Sequence, residues 1–588
     1  MTEHALLTTQ HELRLKKLHD KRIELMRMEP EQALDEILDY EQSAALVHSF
    51  PEQDLFLLIH AIGLEDAYPL LSLASFRQWE YMLDVEIWSR DQIDLGIVSR
   101  WLSLLFMADN KRFVCWVIQE KNTFIEYYLY KNIEVQIRNH DEDPSIFGDD
   151  FFTIDDVFYV RFRDINDPVL NNLTGIESND LANRDDFLEV FLEKLADLDH
   201  VTYQSVLFES MTILSAETEE EEYRMRNERL SEKGFMPFDE AMKLYSPIQD
   251  SEFSDQLRGK KIYQADQSVH IPMYSADMLK QEHLFSQSLQ CIDVDEGIIE
   301  QIQNEFIGLC NTLISADQKI IHELEELRDT IKTTCTYVSL GIEQLMRGDS
   351  TTSNPQKTAY CIQNFPLENL FRLGFTQTLK LKWLVVKWQK QSWYASVDLP
   401  LQFWDEYWFG VLGGVLLKKP LYFDNYRTGV MYREFISIKE IQETRQIIER
   451  MIKLDRLFLS LNLKASDIPI RKSHFTWKTL LLTLWARFSL HMPEVYLPIN
   501  IDDFKRLFEQ LWIEKDHNKS KTITELIKRS FLNWISKKTH IQVEILSESM
   551  GHIFESLFQD VEDEYGLVQP QSLDCRYIHL FFVSQGNK

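Results

Sequence analysis

Two stretches of this chain echo each other thirty-four residues apart. Leu70-Leu71-Ser72-Leu73-Ala74-Ser75-Phe76-Arg77-Gln78-Trp79 aligns with Leu104-Leu105-Phe106-Met107-Ala108-Asp109-Asn110-Lys111-Arg112-Phe113. Two leucines, a bulky apolar residue, an alanine, a Ser/Asp cap, a basic residue and an aromatic are kept. A spacing of this size is what one helix-turn-helix unit occupies when such units stack, because neither helix buries its apolar face alone. The fold class this predicts is mainly α: a multi-domain helical protein with stacked helical hairpins near the amino terminus and one small β-hairpin insertion.

Composition agrees. Only 18 glycines and 16 prolines punctuate 588 residues, too few for a turn-rich β architecture. A length of 588 exceeds one hydrophobic core, so several domains follow. Residues 1–28 read as a charged arm, 29–140 as a helical-hairpin repeat domain and 141–245 as an acidic region with a β-hairpin and helices. Residues 246–290 read as an irregular linker, and 291–588 as a C-terminal helical domain.

Local signals place the elements. Ser75 is an N-cap for a helix in which Phe76, Trp79, Leu83 and Ile87 recur at helical spacing. Helices are expected through residue 138. Phe152-Thr153-Ile154, Asp155-Asp156 and Val157 to Phe162 read as a hairpin with Phe158, Val160 and Phe162 on one face. Phe187, Val190, Phe191, Leu195 and Leu198 form an apolar stripe. Glu217 to Lys233 reads as a charged helix with Glu220–Arg224 and Glu222–Arg226 pairs, stopped by Gly234. Ser315-Ala316-Asp317-Gln318 resembles a capping box. A narrow seam follows through Leu324, Leu327, Ile331, Cys335, Val338, Ile342 and Leu345.

Net charge is −32, and residues 141–222 hold 23 acidic against four basic residues. Such a block repels phosphate backbones and argues against nucleic acid as a partner. The six cysteines form no C-x-x-C pair, so neither a zinc framework nor a disulfide framework is indicated. The longest uncharged apolar run, Tyr407 to Leu417, is eleven residues with three glycines, where a membrane span needs about twenty. With no signal-peptide pattern at the amino end, a cytoplasmic protein is expected.

Searching for chemistry yields little. Gly-rich phosphate loops, G-x-S-x-G and H-E-x-x-H are missing from the sequence. His322-Glu323-Leu324-Glu325-Glu326 begins like a zinc helix but has glutamate where the second histidine belongs. Asp293-Val294-Asp295-Glu296-Gly297 begins like a calcium loop, yet its glycine comes one place early and Asn304 replaces the bidentate glutamate. Lone histidines such as His48, His60 and His474 read as ordinary core or surface groups. The best oxygen-rich cluster for a hard cation is Asp141, Asp143, Asp149 and Asp150, against the default of a solvated loop. The one basic aromatic segment runs from Phe371 to Trp393. Its Arg372, Lys380, Lys382 and Lys387 are the candidate partner-binding residues, although tryptophans at helical spacing are more often core. No cofactor is implied.

Several segments carry a resemblance. Phe50-Pro51-Glu52-Gln53-Asp54-Leu55, Glu232-Lys233-Gly234-Phe235-Met236-Pro237, Phe371-Arg372-Leu373-Gly374-Phe375 and Lys418-Lys419-Pro420-Leu421 resemble a large bacterial family of uncharacterised proteins, a domain of unknown function. The resemblance spans most of the chain and implies no activity. Residues 50–115 are also distantly similar to the cytosolic helical repeats of magnesium-transporter and flagellar-motor switch proteins. The function expected is a non-enzymatic protein-interaction platform with a protein partner. The alternatives are an enzyme with a divalent-cation site in the acidic region, and a membrane-surface regulator acting through residues 371–393.

Overall fold

Mostly short helices follow one another from the amino end: α1 (Glu3–Leu25), α2 (Pro30–Leu38), α3 (Ser43–His48), α4 (Glu52–Ile62), α5 (Tyr68–Leu73), α6 (Phe76–Glu86), α7 (Leu95–Ala108), α8 (Asn110–Glu120) and α9 (Asn122–Asn132). The structure is a computed structural model and describes residues 3–164, 167, 178–248, 284–289, 296–346, 355–468, 475–513 and 521–585. Both copies of the echoed sequence fold as helix, cap, helix. Ser75 closes a capping box with Gln78 at the start of α6, and Asp109 accepts from the Arg112 amide at the start of α8.

The copies share a further contact that the alignment alone does not reveal. Gln78 and Arg112 occupy the same position, the third residue of the second helix. Gln78 Nε2 donates to Val47 O at 2.9 Å and Phe50 O at 3.1 Å, at the end of α3. Arg112 donates to Ser72 O at 2.7 Å and to Ala74 O, at the end of α5, and its guanidinium lies 4.7 Å from the Trp79 ring centre. The last carbonyls of a helix lack intrahelical donors. Each hairpin here supplies a donor to the hairpin before it. At the same position of α4 stands Asp54, fully buried. Beneath these contacts α4 packs on α6 and α5 on α7, burying Leu70, Leu71, Trp79, Leu105, Phe113 and Trp116 in one apolar cluster.

A three-stranded antiparallel sheet follows α9, with Phe158–Phe162 between Ile133–Ile137 and Phe152–Thr153. The Asp155–Asp156 hairpin is where the sequence places it. Asp156 takes φ +58°, which aspartate tolerates, and Asp155 accepts from the Val157 and Phe158 amides. The third strand corrects the expectation of helix through residue 138. Ile133 and Val135 pair with Phe162 and Val160, so a short β-branched run becomes an edge strand once a partner is present.

Helices α10 (Ser178–Leu198), α11 (His200–Ser210) and α12 (Ser215–Glu232) then pack on the first nine. On α10, Phe187, Phe191 and Leu195 are buried with Leu188 and Leu192, whereas Val190 and Leu198 of the expected stripe face outward. Gly234 ends the α12 region at φ +82° as expected, but the expected pairs along α12 are replaced by one local contact and two that dock the helix. Arg224 bonds Glu221, Arg226 donates to Asp84 O, and Arg229 grips the Asp84 carboxylate with two bonds of 2.7 and 2.8 Å. Helix Glu296–Asp317 runs straight through the supposed capping box and stops at Gln318, whose φ is +51°. In the next helix, Leu324–Leu345, the seam residues Leu327, Ile331, Cys335, Val338 and Ile342 are buried. Most of the expected 246–290 linker, and His474, lie outside the described residues.

The chain divides into two compact units: one takes in Met1–Ser246, Ser251–Val338 and Ser353–Phe371, the other Pro247–Asp250, Ser339–Thr352 and Arg372–Lys588. The core of the second is aromatic. Asp455 is buried there and accepts from the Trp388 indole and the amides of Trp393 and Tyr394. The three-glycine run lies in helix Asp405–Leu416, and position 414 takes glycine because a Cβ there would stand 2.7 Å from Leu421 O. No described helix is long and apolar enough to cross a membrane.

The interlocking contacts make a testable claim. Arg112→Ala should lower unfolding stability by about 2–3 kcal/mol in urea titration, since it removes charge-assisted bonds to otherwise bare carbonyls. Arg112→Lys should recover less than half, because an ammonium cannot span two carbonyls while lying flat on Trp79.

Candidate functional site

His60 stands one turn after Phe56 on α4, whose run Leu55 to Ile59 is buried throughout. Its imidazole packs against the Phe56 ring at 4.5 Å and the Trp101 ring of α7 at 6.2 Å. Glu86 is the last residue of α6 and is only 8% exposed. His322 comes from far along the chain, in the loop before helix Leu324–Leu345. That loop is fixed by Glu326, whose carboxylate accepts from the His322 and Glu323 amides at 2.9 and 3.2 Å.

The three side chains meet through their polar ends. Glu86 Oε1 lies 2.7 Å from His322 Nε2 and 3.0 Å from His60 Nε2, and the two imidazole rings are 4.5 Å apart. The His322 contact is a hydrogen bond. The His60 contact has the distance of an ion pair, and no hydrogen bond is aligned across it. Nε2 of His60 is therefore a buried nitrogen with no hydrogen-bond partner. Among the described residues, this is the group of three ligand-type side chains whose donor atoms converge, all within 4.8 Å of one another.

Electrostatics follow the geometry. Burial pushes the Glu86 carboxyl up, but the bond from His322 and the nearness of His60 outweigh it and bring it down to about 2. The bond to Glu86 raises His322 above the ordinary 6.5, and burial only partly opposes this. The arrangement of two imidazoles around one carboxylate favours a positive charge at the point where they meet.

The residues singled out by sequence lie elsewhere. Asp141, Asp143, Asp149 and Asp150 are exposed; Asp143 caps the turn Pro144–Phe147, accepting from the Ser145 amide. They do not join the converging group. On helix Leu367–Gln389, Lys382 donates to Leu417 O at 2.8 Å, and Lys380 lies 3.4 Å from Gln377 Oε1. Lys387 is exposed and Arg372 half-buried. Trp388 and Trp393 are core, while Trp383 is half exposed. What sequence reasoning missed is the His60–Glu86–His322 group. In sequence His322 lacks a second histidine four residues on and His60 stands alone in its helix, so neither points to the other.

A pH signature follows. The folded His322 value is raised, so its stabilisation is full below 6.5 and lost as pH rises through the folded value. The Glu86 value is lowered, so its share is present above 4.5 and lost as pH falls toward about 2. In chelator-treated protein, the stability difference between the natural chain and His322→Gln should be largest between those two ordinary values and shrink on both sides. Urea titrations across pH measure it.

No curated protein and no solved structure matches this chain. A family model does: that of DUF6178, a family of unknown function, matches residues 10–584, and the chain belongs to that family.

Proposed function

We propose that this protein is a non-enzymatic scaffold that binds a protein partner through the α10–α11 hairpin. The observation that carries this reading is an outward apolar stripe on α11. Val201 is 78% exposed, Phe208 lies two turns further on and is 51% exposed, and Met211 follows one turn later. Leu214 extends the stripe toward α12. Tyr203, Val206 and Leu207 on the opposite face are buried, so the helix is apolar on both sides and, among the described residues, only one side is covered. Isolated exposed apolar residues are ordinary, whereas an aligned series on one helix face marks a contact surface.

Charge defines the partner. Glu189, Glu193, Asp197 and Glu209 are exposed along the same hairpin. A cleft of about 770 Å³ on α12 is lined by Glu217, Glu220, Glu221 and Glu228 around Tyr223. An amphipathic segment with basic flanks fits this surface, its apolar side on Val201 and Phe208 and its cations toward α12. The expected enzyme reading gains no comparable support from the dispersed Asp141 to Asp150 carboxylates. The membrane-surface reading loses Trp388 and Trp393 to the core.

Photo-crosslinking tests the proposal in living cells. A benzophenone amino acid at position 208, and separately at 201, should capture the same protein, with a basic segment at the crosslinked peptide. Charge reversal of Glu220, Glu221 and Glu228 should weaken that capture. Unrelated adducts at the two positions, or none, would remove the hairpin from consideration.

A further inference from the structure

The structure assigns a metal site to His60, Glu86 and His322: we propose that these three side chains bind one divalent transition ion of the zinc class. This stands independently of the partner surface on α10–α11.

Donor chemistry narrows the ion. Two imidazole nitrogens and one carboxylate oxygen form a borderline set that suits zinc and its neighbours better than calcium or magnesium, which take oxygen ligands. Three protein ligands leave a position for water. His322 is the most exposed of the three, with 41% of its side chain open, so that position faces solvent on its side.

Geometry supports the assignment. With metal–ligand bonds of about 2.0–2.2 Å and tetrahedral angles, donor atoms stand about 3.3 Å apart. The two N–O separations are 2.7 and 3.0 Å, and all three donor atoms lie within 4.8 Å of one another, so the side chains converge on one point and close on an ion by small rotations. The elements are already in place: the end of α6, the face of α4, and a loop pinned by Glu326. The second line of evidence is the His60 nitrogen. It is buried, close to a carboxylate oxygen, and yet without a hydrogen bond. Buried polar groups are nearly always satisfied, and a bound water or ion is one account of an exception; beside a carboxylate and a second imidazole, an ion fits. An ion set between His60, Glu86 and His322 satisfies that nitrogen and removes the need for a proton on His322.

The consequence is a clasp. Residue 322 stands 236 positions after residue 86, and the ion joins their segments within one compact unit. Phe56 packs beside both imidazoles, at 4.5 Å from His60 and 6.2 Å from His322, and shields one side of the site.

The full-length chain, stripped with chelator, is titrated with Zn²⁺ against a competing chromophoric chelator. One equivalent should bind. His322→Gln and Glu86→Gln should each weaken binding by more than the about 10–100-fold that loss of an outer-shell partner costs. A variant with asparagine at Asp141, Asp143, Asp149 and Asp150 should bind as the natural chain does. His322→Gln lies on a half-exposed loop and should keep the natural far-UV dichroism, which separates ligand loss from misfolding. X-ray absorption of the zinc form should show nitrogen and oxygen ligands with two imidazole signatures. Absence of binding, binding unchanged in His322→Gln, or sulfur in the coordination sphere would each overturn the assignment.

Discussion

Short helices have a costly feature in common: the bare carbonyls at their carboxyl ends. Helix α3 has six residues and so does α5, so half of the carbonyls of each lie in the last turn, beyond the regular i+4 bonds. Neither would persist alone, because a single turn or two does not offset the entropy of nucleation. The amino-terminal stack depends on how these ends are met. Gln78 reaches Val47 and Phe50, and Arg112 reaches Ser72 and Ala74, each from the third position of a later helix. One polar side chain per hairpin both satisfies the previous hairpin and fixes its distance, and the leucines and tryptophans beneath fill the space so defined.

This explains which features could be read from sequence. The thirty-four-residue echo is visible because capping is local: Ser75 and Asp109 act within three residues. The hairpin at Asp155–Asp156 and the seam from Leu327 to Ile342 are local for the same reason, since turn chemistry and helical period are written over short windows. The roles of Gln78 and Arg112 are not legible. Both look like ordinary surface residues of a helix, and their acceptors are backbone atoms, which carry no sequence signature. Strand Ile133–Ile137 was missed because its identity comes from pairing with Phe158–Phe162, twenty-odd residues away. The expected Glu222–Arg226 pair does not form because Asp84, 142 positions distant, offers Arg226 its backbone oxygen.

The His60–Glu86–His322 group shows the same limit at the site. A zinc helix is recognised by two histidines four residues apart, and His322 fails that test with Glu326 in the second place. Its neighbours in space come from α4 and α6. Glu326 instead fixes the loop by accepting amides, a supporting role no motif describes. The acidic block, by contrast, was conspicuous in sequence, and its Asp141 to Asp150 portion is exposed. Charge density is easy to see and says little about convergence. Convergence requires the fold.

Native-state hydrogen exchange on the full chain, read by mass spectrometry at rising denaturant, tests the central claim about the stack. If end-to-end carbonyl capping couples the hairpins, amides of α3 through α8 should open together in one cooperative step, and Arg112→Ala should make the end of α5 exchange earlier than α7. Exchange of α3 to α6 at a free energy unrelated to that of α7 and α8, unaltered by Arg112→Ala, would contradict the account.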